Sequence, residues 1–279
     1  MFTLNCKGKI LKIDRPLVMG IINVTPDSFY EGHLSSFGDE ILGLAKKMIA
    51  EGAAILDIGG QSTRPGSERI SAEEEIKRVV PVIKNIRNAF PGILISADTY
   101  HSAVAAAAVD AGADIINDIS AGEMDAAMIS TVASLKVPYI CMHMKGRPEN
   151  MHIDPVYDDV VKEVLDFFIA KTGECKKAGI HDVIIDPGFG FGKTITHNFK
   201  LLQQLAVFNI LGKPVLAGLS RKSTIYKTLN ITPAEALNGT TVLNTLAINN
   251  GAHILRVHDV KEAKEVITLM NAYKKPLPG

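Results

Sequence analysis

The sequence is poor in cysteine, in net charge and in long apolar runs, and each shortage excludes a class of protein. Its three cysteines are odd in number and form no C-x-x-C pair. This argues against a disulfide scaffold or a thiolate zinc site and predicts a reducing, cytoplasmic environment. Lysine and arginine together number 30, as do aspartate and glutamate, so no broad cationic surface for nucleic acid is expected, although a local anion pocket would still fit. The longest apolar runs have the length of strands, so no membrane span is predicted, and the first residues lack the regions of a signal peptide.

Length and composition indicate a single globular domain. Hydrophobic residues make up 47% and charged residues 22%, which is too apolar for a disordered chain. The 279 residues are close to the size of one (β/α)8 barrel. Because no linker, low-complexity tract or charge block interrupts the chain, we expect an N-terminal extension at 1–13 followed by one barrel at 14–279.

Short apolar runs alternate with longer segments of helical period along the chain. The helical segments include Ala72–Ala89 and Val156–Lys177. The apolar runs are nearly continuous in aliphatic and β-branched residues, as in strands that are buried on both faces of a parallel sheet. The eight predicted strands are Leu17–Asn23, Ala54–Ile58, Ile93–Asp98, Asp114–Asn117, Pro138–Met142, Val183–Asp186, Pro214–Gly218 and His253–Val257.

Capping residues support this division. Ser71 with Glu74, and Thr232 with Glu235, have the spacing of capping boxes. Eight βα units of roughly 30 residues predict an α/β protein with a closed (β/α)8 TIM barrel, and an open doubly wound sheet is the alternative because it has the same local signals. Residues 1–13 are expected to form a short ribbon or plug at the barrel bottom. Glycines at the expected helix ends precede four strands: Gly52, Gly112, Gly179 and Gly251.

Polar residues concentrate at the ends of the predicted strands, where the catalytic loops of such barrels begin. Any one of them can cap the next helix. So many polar residues on one rim together predict a ligand site, because buried polar side chains are unfavourable unless they are paired. They are Asn23, Asp57, Asp98, Asn117, His143, Asp186, Ser220–Lys222 and Arg256–His258.

Three loops after strands have unusual sequences. Those at 24–33 and 59–68 exceed the usual length of about two to six residues, and long loops on the catalytic face are usually lids. The loop at 186–194 is rich in glycine, but Pro187 excludes a Walker A motif and Lys193 excludes a dinucleotide fingerprint. Its glycines are expected to let the backbone and Phe191 approach a flat ligand.

A second group of rim residues is suited to an anion: Asn23, Lys222, Arg256 and His258. Arg256 and His258 are two positions apart at a strand end, so their side chains are expected to point the same way and to favour a phosphate or diphosphate. The alternative is a salt bridge from this pair to Asp57 or Asp259.

A series of motifs covers nearly the whole chain: Met19–Phe29, Ser62–Gly66, Asp98–Thr99, Asn117–Ile119, Met142–Met144, Asp186–Lys193, Ser220–Ser223 and Leu255–Val260. In these motifs and their order, the chain resembles the dihydropteroate synthases, a family of the folate pathway. Gln61 stands where the family often has glutamate, and Tyr30–His33 replaces its serine-aspartate-glycine-glycine. Both departures lie in the expected lid loops, so they affect loop closure and inhibitor binding rather than the reaction.

The resemblance implies condensation of 6-hydroxymethyl-7,8-dihydropterin diphosphate with 4-aminobenzoate, giving 7,8-dihydropteroate and diphosphate. The displacement is expected to be dissociative, with the Asp98 carboxylate stabilising the developing cation. Magnesium on the diphosphate, with Asn23 and waters as further ligands, is the implied cofactor. A homodimer, a sulfonamide-binding site, and the absence of nucleic-acid and membrane partners are also implied.

The resemblance assigns residues to three subsites and to catalysis. The expected pterin site comprises Asp98, Asn117, Ile119, Met142, Asp186, Phe191, Gly218 and Lys222. The expected diphosphate site comprises Asn23, Arg64, Arg256 and His258. The expected 4-aminobenzoate site comprises Phe29, Thr63, Arg64, Pro65, Lys222 and Ser223. The expected catalytic residues are Asn23, Asp98, Lys222 and Arg256.

Two other functions would share the predicted fold. A methyltetrahydrofolate–corrinoid methyltransferase module would share the pterin contacts Asp98, Asn117 and Asp186. It would not need Ser220–Ser223, the pair of Arg256 and His258, or the long loop with Thr63–Pro65. A non-catalytic pterin-binding barrel would have lost rim residues, whereas every expected polar position is filled here. Diphosphate release that depends on 4-aminobenzoate distinguishes the synthase from both.

Overall fold

The chain begins with a hairpin of two antiparallel strands, β1 (Phe2–Cys6) and β2 (Lys9–Ile13). The computed structural model describes residues 1–24, 34–61, 69–147, 151 and 155–275, and of 34–37 the backbone only. Lys7 and Gly8 both have positive φ, of 52° and 88°, which suits a tight two-residue hairpin turn. The ribbon expected for residues 1–13 is this hairpin.

Eight parallel strands follow and close into a barrel. They are β3 (Leu17–Asn23), β4 (Ile55–Gly59), β5 (Leu94–Asp98), β6 (Ile115–Asp118), β7 (Tyr139–Met142), β8 (Val183–Asp186), β9 (Leu216–Ala217) and β10 (Ile254–Val257). Their order in the sheet is β8, β7, β6, β5, β4, β3, β10, β9. The two ends of the sheet meet where Ile185 N donates to Pro214 O at 3.0 Å, beside a parallel bridge from Ile185 to Val215. The predicted TIM barrel is therefore confirmed, and the open sheet is excluded.

Helices alternate with these strands and form the outer layer of the barrel. They are α1 (Leu34–Glu51), α2 (Ala72–Ala89), α3 (Ser102–Ala111), α4 (Met128–Leu135), α5 (Val160–Ala178), α6 (Ile195–Gln203), α7 (Ser223–Leu229), α8 (Leu237–Asn249) and α9 (Val260–Tyr273). Two 3-10 segments, Leu205–Leu211 and Pro233–Glu235, precede β9 and α8. Among the residues that the structure describes, none of the helices combines the length and the apolar character needed to cross a membrane.

Helix ends follow the predicted capping residues. Helix α2 has the predicted bounds, and the Ser71 hydroxyl accepts a hydrogen bond from Glu74 N at 3.2 Å. The four glycines expected after helices all have positive φ: Gly52 102°, Gly112 118°, Gly179 91° and Gly251 98°.

Two predicted helix starts are wrong. The helix expected at Val156–Lys177 begins at the first residue of α5, because Asp159 is its N-cap and accepts from the amides of the first turn. Thr232 and Glu235 do form both hydrogen bonds of a capping box, but this box opens the 3-10 segment rather than an α-helix.

The bottom of the barrel is filled by the hairpin. Leu4, Cys6, Leu11 and Ile13 project from its two strands. They pack against residues near the start of each barrel strand: Met19, Ile55, Leu94, Ile115, Ile140, Ile184, Leu216 and Ile254. A larger core lies between the strands and the helices. Because the N-terminal ends of the strands are covered, a ligand site is expected at their C-terminal ends.

Candidate active site

Arg256, at the end of β10, connects the strands that carry the acidic rim residues. Its Nε lies 2.6 Å from Asp57 Oδ2 on β4, and its Nη2 lies 2.5 Å from Asp98 Oδ2 on β5. The same Asp57 oxygen accepts from Asn117 Nδ2, on β6, at 3.1 Å. The salt bridge to Asp57 that the sequence left open is therefore present. The expected contact between Arg256 and a diphosphate stays a prediction.

Burial shifts the ionisation of this cluster. It raises the pKa of Asp98 to about 7, although Arg256 acts in the opposite direction. It also raises the pKa of Asp186, which Lys222 partly offsets. Burial alone would lower the pKa of Arg256, but Asp57 and Asp98 hold it above its ordinary value. Arg256 is thus always charged, whereas Asp98 can change charge near neutral pH.

Lys222, which precedes α7, extends across the mouth toward β8. Its Nζ donates to Phe189 O at 2.6 Å and lies 4.8 Å from the centroid of the Phe191 ring. A Cβ on Gly218 would stand 3.5 Å from this ammonium, so the glycine leaves room beside it. Burial lowers the pKa of Lys222 to about 8, against the attraction of Asp186.

An apolar wall faces the mouth from the β5–β8 side. Its buried residues are Tyr100, Ile119 and Met142. Met124, Met144 and Phe191 are partly buried and pack against them. The charged residues at the ends of β4, β5 and β10 adjoin this wall. A pocket with an apolar wall and a polar edge suits a flat heterocycle.

The glycine-rich segment after β8 serves a purpose that the sequence did not predict. A Cβ at Gly188 would come within 1.9 Å of His143 O, and one at Gly192 within 2.1 Å of Lys145 O. Both glycines have positive φ, of 68° and 63°. They are required for contact with the loop after β7. The expectation that the glycines of this segment let the backbone and Phe191 approach a flat ligand stays a prediction.

The residues expected to bind an anion lie at neighbouring strands. Asn23 is exposed at the end of β3, and His258 is exposed just after β10. His258 Nδ1 lies 3.0 Å from the hydroxyl of Ser220, which follows β9. Asp259, the other salt-bridge partner that the sequence left open for Arg256 and His258, forms a salt bridge with Arg221. The Nε–Oδ2 and Nη2–Oδ1 distances are 2.9 and 2.8 Å.

The expected arylamine site is described only in part. Ser223 opens α7 directly after Lys222 and is half-buried. Gln61, at the root of the second long loop, accepts a hydrogen bond from Ile70 N at 2.9 Å. The other residues expected at this site lie outside the described part of the chain: Phe29, Thr63, Arg64 and Pro65. The departure from the family at Tyr30–His33 also lies outside it.

Comparison with known proteins agrees with this geometry. Residues 19–258, from β3 to the residue after β10, match the pterin binding enzyme family. The chain is 43% identical to dihydropteroate synthase of Escherichia coli K12 over 268 residues, which cover 95% of this chain and 94% of that protein. The chain belongs to the dihydropteroate synthase family.

Solved dihydropteroate synthases share the whole fold. The Yersinia pestis enzyme, solved with a sulfonamide drug, superimposes with a TM-score of 0.92 at 40% identity and covers 98% of this chain and 99% of its own. The Xanthomonas albilineans enzyme with 4-aminobenzoic acid gives a TM-score of 0.91 at 41% identity and covers 99% of each chain. The eight barrel strands described above therefore form the barrel of the dihydropteroate synthase family.

Two buried side chains of this family member were not predicted from the sequence. Lys193 is 6% exposed and reaches into the contact between the loops after β7 and β8. Glu75 is fully buried in α2. Burial raises the pKa of Glu75 to about 7, and the hydroxyl of Thr99 opposes this. The sequence contains one signal for the burial of Glu75, since this residue stands four positions before the buried Val79 and so lies on the same face of α2.

The mouth offers few ligands for a metal ion. Over the described ranges, no group of three or more histidine, cysteine, aspartate or glutamate side chains could hold one. Asn23 is exposed and carries an amide oxygen, which is a ligand that magnesium accepts. In a dihydropteroate synthase this fits an ion that is held chiefly by diphosphate oxygens and water.

Proposed function

We propose that the protein is a dihydropteroate synthase of tetrahydrofolate biosynthesis. It condenses 6-hydroxymethyl-7,8-dihydropterin diphosphate with 4-aminobenzoate and releases 7,8-dihydropteroate and diphosphate. The observation that carries this proposal is the barrel mouth, where carboxylates, an amide and cations adjoin an apolar wall, in a chain with 43% identity to the Escherichia coli enzyme.

The pterin ring is proposed to lie against the apolar wall. A 2-amino-4-oxo pterin has N–H donors and ring acceptors in one plane, so Asp98 and Asp186 can accept from it while Asn117 can do both. Lys222 can donate to the carbonyl side, where Gly218 leaves space. The ring faces would contact Ile119, Met142 and Phe191.

The chemistry requires no side-chain nucleophile. The bond between the pterin methylene carbon and the diphosphate oxygen breaks, and its electron pair leaves with the diphosphate. The pterin ring delocalises the resulting positive charge, and the Asp98 carboxylate stabilises it. The arylamine nitrogen then forms the new C–N bond and loses a proton.

The diphosphate is proposed to bind where β3 and β10 end, next to β9. Its ligands in this proposal are Asn23, Arg64, Arg256 and His258. Arg256 is already bound to Asp57 and Asp98. In this proposal it contacts the diphosphate while it stays bound to both carboxylates. Without it, two partly desolvated carboxylates would be left unpaired, which is strongly unfavourable.

Magnesium is the proposed cofactor of this step. Asn23 would supply one oxygen ligand, and the diphosphate and water would supply the others. When bound, magnesium stabilises negative charge on the departing diphosphate oxygens. Asn23 would in this way orient the leaving group at the root of the first long loop.

The arylamine is proposed to bind between the two long loops and α7. Ser223 would provide a polar contact, and Phe29, Thr63, Arg64 and Pro65 would complete the site. Sulfonamides, which resemble 4-aminobenzoate, are proposed to bind here as well. The Yersinia pestis relative was solved in complex with such a drug.

We also propose a cytoplasmic homodimer. All three cysteines are free thiols, which suits a reducing compartment. Leu229 of α7 is 52% exposed, and Val242 and Leu246 of α8 are 50% and 42% exposed. A Cβ on Gly239 would stand 3.1 Å from Leu229, so these side chains form one apolar stripe along α8. Such a stripe favours burial against a second copy.

The decisive experiment measures diphosphate release from the pterin diphosphate with and without 4-aminobenzoate. We expect release that depends on the arylamine and equals the dihydropteroate formed. Pterin binding without turnover would instead indicate a non-catalytic barrel. Methyl transfer from methyltetrahydrofolate to a corrinoid would indicate the methyltransferase.

A further inference from the structure

Two rim loops are in close contact on the pterin side of the mouth. They are the β7 loop (residues 143–147) and the β8 loop (residues 187–193). Gly188 and Gly192 allow this contact, because a side chain at either position would collide with the backbone of the β7 loop. The two loops therefore form one packed layer, which contributes Met144 and Phe191 to the apolar wall.

Lys193 lies inside this layer and binds both loops. Its Nζ donates to Gly188 O and Phe191 O at 2.9 Å each and to His143 O at 3.2 Å. It also lies 2.9 Å from His143 Nδ1. Burial lowers the pKa of Lys193 well below its ordinary value. No carboxylate contacts Lys193 among the described residues, so the groups that hold this buried amine are three loop carbonyls and the His143 ring.

Lys193 completes a set of anchors along the β8 loop. The other carbonyl anchors are Lys222 Nζ, which binds Phe189 O at 2.6 Å, and the Tyr157 hydroxyl, which binds Gly192 O at 2.8 Å. The Phe191 ring belongs to the apolar wall and lies 4.8 Å from the Lys222 ammonium. The carbonyl of Phe191 itself accepts a hydrogen bond from Lys193.

We propose that Lys193 is a positioning residue for the pterin site: it fixes the β8 loop onto the β7 loop, so that Phe191 and Lys222 are already placed for the pterin ring. The proposal rests on the pterin site assigned above. It concerns binding of the ring and not the chemistry, since Lys193 is covered by the two loops. Preorganisation of this kind contributes to affinity because the loop need not be ordered when the ligand binds.

The test is Lys193→Met, which keeps the length and apolar stem but removes the amine. We expect the Kd for 6-hydroxymethylpterin, measured by calorimetry, and the KM for the pterin diphosphate to rise about 10- to 100-fold. The Kd for magnesium diphosphate should change less than about two-fold, within the scatter expected of an untouched subsite. A role in general stability alone would lower Tm and leave the pterin Kd and KM unchanged, which would overturn the proposal.

The matched control is Lys47→Met in α1. Lys47 is exposed, and its Nζ lies 3.8 Å from a Glu51 carboxylate oxygen of the same helix, so this variant removes a lysine that contacts neither loop. Its variant should keep normal pterin affinity, and an equal loss in both variants would contradict a specific role for Lys193. If Lys193→Met does not fold, Lys193→Gln retains two donors and should give an intermediate Kd, while a normal Kd would reject the proposal. If the wild type binds pterin but releases no diphosphate, the proposed function fails and the calorimetric comparison still tests Lys193.

Discussion

Single residues around the barrel mouth differ in how they respond to pH. Burial raises the pKa of both Glu75 and Asp98 to about 7. Glu75 lies within a helix, whereas Asp98 faces the mouth, so the first should affect stability and the second catalysis.

Asp98→Asn should lower kcat much more than it lowers pterin affinity. The shape and most hydrogen bonds survive, but the charge that faces the developing cation is lost. We expect kcat to fall by roughly a hundred-fold or more. In the wild type, kcat/KM should decline as pH falls below about 7, because the carboxylate becomes protonated, and the variant should lack this decline. Steady-state kinetics and calorimetry across pH test this, and equal losses in rate and affinity would limit Asp98 to binding.

Glu75→Gln should change how stability depends on pH. The folded pKa of Glu75 is about 7 and its ordinary value is 4.5, so between these values the native state holds a proton that the unfolded state has lost. The free energy of unfolding of the wild type should therefore fall as pH rises from about 4.5 to 7, by about 2–4 kcal/mol from this group.

The glutamine variant carries no such charge and should lose this contribution. It should match the wild type near pH 5 and exceed it near pH 8, which urea unfolding at several pH values can measure. The exposed Glu265 provides a control, since its glutamine variant should follow the wild-type curve. A pH dependence identical in wild type and Glu75→Gln would show that Glu75 is ionised throughout.

Among the elements, β3 and β4 are adjacent and carry the two long loops. Strand β10 pairs with β3 on its other side and supplies Arg256. A diphosphate at the ends of β3 and β10 would therefore lie at the root of the first loop and near the second. If it draws the loops together, it also creates the arylamine site.

Arylamine binding should consequently depend on the diphosphate. We expect 4-aminobenzoate to bind more tightly to protein preloaded with magnesium and diphosphate than to free protein, by about 5- to 150-fold, because both ligands stabilise the same closed state. Calorimetric titration of the two samples measures this. Equal affinity in both titrations would contradict coupling between the subsites.

For the whole molecule, the apolar stripe on α7 and α8 predicts self-association. Val242→Glu should convert a dimer into a monomer, since a carboxylate would be desolvated in the interface. Leu269→Glu on α9 is the control, because Leu269 is also exposed but lies on another helix. Sedimentation of the wild type as a monomer would exclude the proposed homodimer.

The fold was predictable because the barrel strands are buried on both faces and several helix ends have a local signal. The contacts within the site were less accessible. The sequence left two partners open for Arg256, and only the barrel geometry brings Asp57 and Asp98 to it. The close contact of Gly188 with His143 could not be predicted either, because His143 belongs to a different βα unit. Pairings between units depend on strand order, which local patterns do not specify.

The N-terminal hairpin also constrains how the reaction cycle can run. In the described chain its side chains fill the lower end of the barrel. Substrates and products can therefore enter and leave a site at the upper end only through the upper end. The dihydropteroate has to leave by the path along which the next pterin diphosphate arrives. The two molecules then exclude each other, and dihydropteroate should act as a competitive inhibitor with respect to the pterin substrate. A cell that accumulated dihydropteroate would in this way slow its own synthesis of it.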